Sequence, residues 1–303
     1  MKKLLFTILL IHSALQFSLA SDTVEHFQMD GRLRLYHVCV PSDLPEDAPL
    51  VFVIHGYGGS ASGIREFSRF DSLAMKHGFA VCYPQGVLGA DSLNSWNAGY
   101  SNPEVDDVKF LSYLARHLQK KYRLSRDHTF CTGMSNGADM CYVLACQRPD
   151  IFSAIAPVAG CMMESTFRNC SHPDAVPVFE THGTDDLITR YGGDPDYSDT
   201  YGGYLGVEET LDYWVQKNAC THFTTDTLPD ADSTDGSRVV RELYQGHQSR
   251  QQVWFYKLVG GRHDWPGAWG NMDVLISEEI WKFFRRCMQK PKNRYRLPAG
   301  PSP

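Results

Sequence analysis

After its first twenty residues, the 303-residue sequence contains no apolar run long enough to cross a bilayer, which excludes further membrane-spanning helices. Basic residues are not in excess. With 29 Lys and Arg against 35 Asp and Glu, the net charge of -6 repels phosphate backbones, so nucleic acid is not an expected partner. There is no Cys-x-x-Cys pair and no Cys/His spacing suited to zinc. No glycine-rich loop leads into Gly-Lys-Ser/Thr, so a nucleotide-phosphate loop is excluded as well. Neither a metal nor an organic cofactor is expected. The chain also lacks an internal repeat and a linker joining two domains. Its length and 43% hydrophobic content suit one large core, expected over residues 21–290.

The opening MKKLLFTILLIHSALQFSLA places two lysines before a short apolar stretch and ends on Ser18-Leu19-Ala20. This is the form of a cleaved signal peptide, 1–20, and implies an exported protein with no membrane attachment after cleavage. A membrane anchor is the weaker reading, because His12, Ser13 and Gln16 interrupt the stretch. Nine cysteines follow, which fits an oxidising compartment, and the odd number leaves at least one thiol unpaired within the chain. Cys39, Cys82 and Cys131 lie within strand-like runs and read as small buried hydrophobes. Cys161 and Cys170 flank a short polar segment and are the expected disulfide. The basic, proline-rich end, 291–303, reads as a disordered tail.

Apolar, β-branched runs alternate with amphipathic segments. LRLYHVCV, PLVFVIHG, FAVCYP, HTFCTG, FSAIAPVAG, VPVFETHG and QQVWFYKLV read as strands, with helices at roughly 63–77, 105–122, 136–148, 207–217 and 273–286. Such alternation predicts an α/β fold with a mostly parallel central sheet flanked by helices. Val108, Leu111, Leu114 and Leu118 recur at helical spacing and predict one buried face. Residues 184–206, rich in Gly, Asp and Tyr, read as a long surface loop. Residues 221–238 read as an irregular, solvated excursion.

Gly133-Met134-Ser135-Asn136-Gly137 has the form G-x-S-x-G between the strand HTFCT and the helical segment ADMCYVLACQ. The pentapeptide alone occurs by chance. Its strand-to-helix context marks a nucleophile elbow, with Ser135 as nucleophile. A serine hydroxyl needs an adjacent base, and the base needs a carboxylate to fix its tautomer. In this arrangement the chain order is Ser, then acid, then His. The strand VPVFET runs into His182-Gly183-Thr184-Asp185-Asp186, so either aspartate is a candidate acid, with Asp186 preferred. Of the twelve histidines, His222, His247 and His263 follow it. His263, after QQVWFYKLV and a Gly-Gly turn, is the candidate base; Asp264 beside it reads as a loop residue. His55-Gly56-Tyr57-Gly58-Gly59 follows the strand PLVFVI, where the loop supplying half of an oxyanion hole is expected, and the N–H groups of Tyr57 and Asn136 are the candidates. His55 and His182 read as bracing residues.

Together these segments resemble a known family: the secreted feruloyl and acetylxylan esterases of carbohydrate esterase family 1 and their poly(3-hydroxybutyrate) depolymerase relatives, of the α/β-hydrolase superfamily. The resemblance runs from about residue 33 to 286 and rests on HGYGGS at 55–60, YPQG at 83–86, SWNAG at 95–99, VDDVKFL at 105–111, GMSNGADMCYVLA at 133–145, IAPVAG at 155–160, HGTDD at 182–186 and GGRHDWPG at 260–267. It implies the α/β-hydrolase fold, a Ser135–Asp186–His263 triad and an oxyanion hole at Tyr57 and Asn136. It also implies that Trp96 and Trp265 shape the rim of the substrate site. The chain departs from the family at Tyr57, where Cys is common, at Asp139, and near His247, where the family's partner for Cys220 is missing.

The reaction the resemblance implies is hydrolysis of feruloyl or acetyl esters of plant cell-wall polysaccharide such as xylan. A polyester or hydroxyalkanoate oligomer is the alternative substrate, and a catalytically silent binding protein is the third reading. The tyrosines of the loop 184–206 divide between two roles: Tyr201 and its neighbours either stack on a bulky acyl group or pack on the domain.

Overall fold

The computed structural model describes residues 21–99, 104–196, 198 and 202–289. The expected signal peptide, the tail 291–303 and Tyr201 lie outside them. Among the described residues one ten-stranded sheet runs through the molecule. Its strands are β1 (Ser21–Met29), β2 (Arg32–Val40), β3 (Leu50–Ile54), β4 (Ala80–Pro84), β7 (Thr129–Met134), β8 (Phe152–Val158), β9 (Val178–Gly183), β10 (His222–Thr227), β11 (Arg238–Gln245) and β12 (Gln252–Val259). β5 (Val87–Leu88) and β6 (Asn94–Ser95) form a separate small ladder. The order is β1-β2-β4-β3-β7-β8-β9-β12-β11-β10. The six strands from β4 to β12 are parallel, and antiparallel pairs extend the sheet at both edges.

The helices are α1 (Ala61–Ser68), α2 (Phe70–His77), α3 (Asp107–Tyr122), α4 (Asn136–Gln147), α5 (Glu164–Asn169), α6 (Val207–Lys217) and α7 (Ile276–Cys287). Every residue of β3 and β7 is buried, as a parallel strand covered on both faces must be. The period-2 alternation of β3 sends Leu50, Phe52 and Ile54 to one core, shared with Leu111 and Leu114 of α3, Met140 of α4 and Trp214 of α6. Val51 and Val53 point to the other, with Ile64, Phe70 and Phe284 of α1, α2 and α7. The predicted face of α3 is largely as read: Leu111, Leu114 and Leu118 are buried, while Val108 is only partly so. Asp106 caps the helix by accepting from the Lys109 N–H at 2.8 Å.

Three expectations change. The single helix at 63–77 is two, because Arg69 adopts a left-handed conformation (φ 55°) that ends α1 and opens α2. The stretch 221–238 is not wholly irregular. Within it His222–Thr227 form strand β10, paired with β11, and all six are exposed, so no apolar alternation marks them. Finally, Cys170 pairs with Cys146, not with Cys161. Cys146 lies in the last turn of α4 and Cys170 caps α5, bringing their Cα atoms within 4.7 Å. Cys161 is a buried free thiol in the loop after β8, where its N–H donates to Asp139 Oδ1 at 2.7 Å.

The Cys146–Cys170 bond restricts the unfolded chain across a separation of 24 residues. The double variant Cys146→Ser/Cys170→Ser should therefore lose about 3 kcal/mol in denaturant unfolding. Peptide mapping of the oxidised protein should find Cys161 as a free thiol; a Cys161–Cys170 peptide would reverse the assignment.

Candidate active site

β7 ends on Met134, and the chain turns into α4 through Ser135 at φ 55° and ψ -125°. This backbone is costly for a side-chain-bearing residue and persists only where its surroundings enforce it. They do so here. The Ser135 N–H donates to Val158 O at 3.0 Å, and its carbonyl accepts from Ala138 and Asp139 N–H groups at 2.7 and 3.0 Å. The flanking glycines make the turn sterically possible. A Cβ on Gly133 would lie 2.6 Å from Ile54 O, and one on Gly137 only 2.2 Å from the same oxygen. Ser135 is thus lifted above the carboxyl end of β7 at the N-terminus of α4, where the helix field favours developing negative charge.

The loop after β3 lies against this turn: a Cβ on Gly56 would meet Met134 O at 3.2 Å and Ser135 Cβ at 3.3 Å. His55 braces it. Its Nε2 accepts from the Gly86 N–H at 2.9 Å, so the remaining proton sits on Nδ1 and donates to Gly56 O at 2.7 Å. Burial pushes this imidazole down to about 4, which keeps it neutral and in that tautomer. Gly58 N–H donates to Asn94 O at 2.8 Å, while Asn94 Nδ2 returns a bond to Gly59 O at 2.9 Å. These bonds fix the peptide of Tyr57, whose side chain is half exposed and donates its hydroxyl to Asp91.

Asn136, the other candidate oxyanion residue, is the first residue of α4. Its side chain is clamped by the Trp96 main chain, accepting from Trp96 N–H at 2.7 Å and donating to Trp96 O at 3.1 Å. The Trp96 indole donates to His55 O at 2.9 Å. One tryptophan therefore joins the two segments expected to supply the oxyanion donors.

On the far side, the turns after β9 and β12 bring the candidate acid and the candidate base together. His263 Nδ1 lies 2.8 Å from Asp186 Oδ2. The second oxygen of Asp186 accepts the N–H groups of Ile188 and Thr189 at 2.8 and 2.9 Å, so this buried carboxylate is compensated on both sides. Asp185 instead faces solvent and accepts from its neighbour Thr184 Oγ1 at 3.0 Å. Asp264 bonds the Arg262 N–H, while His222 and His247 sit exposed beside one another near the β10 edge.

The aromatic residues expected at the rim sit elsewhere. Trp96 and Trp265 are fully buried, and the Trp265 indole donates to Ser277 Oγ at 3.2 Å, so neither lies on an exposed rim. Tyr191 and Tyr204 pack on the domain: the Tyr191 hydroxyl donates to Glu208, and Tyr204 is buried with Cys161 and Met163. Sequence reasoning passed over Trp269. It is 37% exposed, donates its indole N–H to His263 O at 3.2 Å and stacks edge-on against Phe67. It stands four residues after Trp265, across the turn that the two residues close by a β-bridge. Leu187 and Ile188 beside the acid are also exposed, at 86% and 54%. Among the described residues no cluster of His, Cys, Asp and Glu is placed to hold a metal ion, and no helix is long and apolar enough to cross a membrane.

The family described as esterase PHB depolymerase matches residues 35–184, which include the oxyanion loop, the elbow and the start of the acid loop. Feruloyl esterase D of Neurospora crassa is 24% identical over 274 residues, spanning 85% of this chain and 83% of that protein. Poly(3-hydroxyalkanoate) depolymerase C of Paucimonas lemoignei is 27% identical over 293 residues, spanning 88% and 67% respectively. The acetyl xylan esterase from Aspergillus awamori shares the fold at a TM-score of 0.63 with 15% identity, covering 87% of this chain and 99% of that one. With the expected mostly parallel sheet flanked by helices in place, the chain is an ester hydrolase of the α/β-hydrolase fold, and its residues 35–184 match the esterase PHB depolymerase family.

Proposed function

We propose that the protein is an exported serine esterase acting through an acyl-enzyme on feruloyl or acetyl esters of plant cell-wall polysaccharide. The observation that carries the mechanism is the Asp186–His263 pair, at 2.8 Å, at the same strand-end face as the strained Ser135 turn. Asp186 accepts the Nδ1 proton of His263, which leaves Nε2 as the base. Ser135 Oγ attacks the ester carbonyl carbon as its proton passes to Nε2. The oxyanion forms between the N–H groups of Tyr57 and Asn136, donors held in place before the reaction begins. Collapse breaks the carbon–oxygen bond to the alcohol, which leaves with the proton from His263. Water then attacks the acyl-serine by the same route and regenerates the hydroxyl.

The apolar and aromatic groups beside this centre, Trp269, Leu187 and Ile188, suit an acyl group with a flat or apolar body. The likeness to feruloyl esterase D along most of both chains favours a hydroxycinnamoyl ester. A polyester substrate is the second reading, favoured by the family match and by the exposed Leu187–Ile188 pair. The N-terminal sequence and the Cys146–Cys170 disulfide support export.

Ser135→Ala should fold as the parent does and lose esterase turnover by about 10⁴-fold or more. Unchanged turnover would remove the mechanism. Asp186→Asn should cost about 10³-fold or more while Asp185→Asn costs little, and the opposite ranking would move the acid to Asp185. Product release from methyl ferulate, acetylated xylan and hydroxybutyrate oligomers, compared by kcat/KM, decides the substrate. Preference for the oligomers would replace the polysaccharide reading with the polyester one.

A further inference from the structure

Behind Asp186 lies a second imidazole–carboxylate pair that the reaction as described does not use. His182 and Glu180 are both on β9 and both buried. His182 Nδ1 is 3.2 Å from Glu180 Oε1, and the other Glu180 oxygen accepts the hydroxyl of Tyr142 from α4. His182 Nε2 is 2.8 Å from Thr189 O and 3.5 Å from Asp186 Oδ2. A carbonyl oxygen can only accept, so Nε2 carries a proton. Nδ1 faces the Glu180 carboxyl, so a second proton is shared across that contact, in a pair closed off from water.

Thr189 links this pair to the acid. Its carbonyl accepts from His182, while its N–H donates to Asp186 Oδ1 at 2.9 Å. The Asp186 oxygen near His182 is also the one that His263 contacts. We propose that His182, anchored by Glu180, is a positioning residue for ester hydrolysis: it clamps the Thr189 peptide so that its N–H stays on Asp186, and it sets a second imidazole against the carboxylate oxygen that orients His263. This inference rests on the triad reading above.

The surroundings of His182 are consistent with a charged ring. Burial opposes its charge, but the bond to Glu180 and the negative charges of Glu180 and Asp186 outweigh burial and hold its pKa above the usual histidine value. The other facing groups are few. The Tyr191 ring is edge-on at 6.1 Å. Lys257, opposite His182 on β12, turns its ammonium to Glu208. The thiol of Cys161, near Glu180 and Asp186, is pushed well up by burial and stays neutral.

A cation beside Asp186 Oδ2 offsets part of the carboxylate's pull on a protonated His263. Removing it should make His263 hold its proton to higher pH, so the acid limb of kcat/KM should move upward. With p-nitrophenyl acetate as substrate, His182→Asn should lower kcat by about tenfold or more at nearly constant KM, since the loss is of orientation and not of binding. Its acid limb should rise by about half a pH unit or more. Glu180→Gln removes the group that holds the second proton on the buried His182 ring, so the ring turns neutral and the limb should shift in the same direction.

A limb unchanged from the parent in both folded variants, even with reduced thermal stability, would overturn the proposal and leave His182 a packing residue. If His182→Asn does not fold, Glu180→Gln decides alone. If neither folds, Tyr142→Phe, which removes one hydroxyl from Glu180, should give a smaller upward shift, and no shift overturns the proposal. Ser135→Ala separates the two readings. Residual full activity there defeats the triad itself, whereas an inactive Ser135→Ala with an unmoved acid limb in the His182 series defeats only this inference.

Discussion

The start of α4 and the end of β3 meet at backbone contact, where Gly137 sits so near Ile54 O and His55 O that no Cβ fits. Much of the site follows from it. Because helix and strand meet at backbone contact, the Ser135 turn must be tight, and its left-handed φ is imposed by packing on both sides. The same closeness sets Gly56 against Ser135 and aligns the loop after β3 with the first turn of α4. A methyl group at Gly133 or Gly137 would therefore displace several parts at once.

Polar groups lock this arrangement where apolar packing alone would leave slack. Trp96 spans from His55 O to the Asn136 side chain, and neutral His55 ties Gly56 to Gly86. On the acid side, Asp186 is buried and receives two backbone N–H groups besides His263. A carboxylate removed from water costs several kcal/mol unless it is compensated in this way, so the acid loop has little freedom to rearrange. The Glu180–His182 pair extends that compensation one layer further into the sheet.

The exposed groups nearby follow a different principle. Leu187, Ile188, Tyr57 and Trp269 come from loops whose shape no strand or helix dictates. Loops of this kind tolerate change without loss of the core, which suits a scaffold whose relatives carry names as different as feruloyl esterase and poly(3-hydroxyalkanoate) depolymerase.

The layers, and the chain order of the candidate site residues, were legible in the sequence. Strand-like runs alternating with helical ones gave the parallel sheet, and G-x-S-x-G between a strand and a helix located the elbow, because both signals are local and periodic. The HGTDD and GGRHDW segments, each following a strand-like run, marked the candidate acid and the candidate base. Contacts between residues distant in the chain were decided only by tertiary structure. Local spacing linked Cys161 to Cys170, but the end of α4 brings Cys146 there instead. β10 carries no apolar alternation because both its faces are exposed, so only its pairing with β11 reveals it. The family resemblance placed Trp96 and Trp265 at the rim, yet both are buried by packing that spacing does not encode. The choice of Asp186 over Asp185 depended on which carboxylate the turn after β9 carries inward to His263, a direction set by the bonds of Ile188 and Thr189 to that side chain.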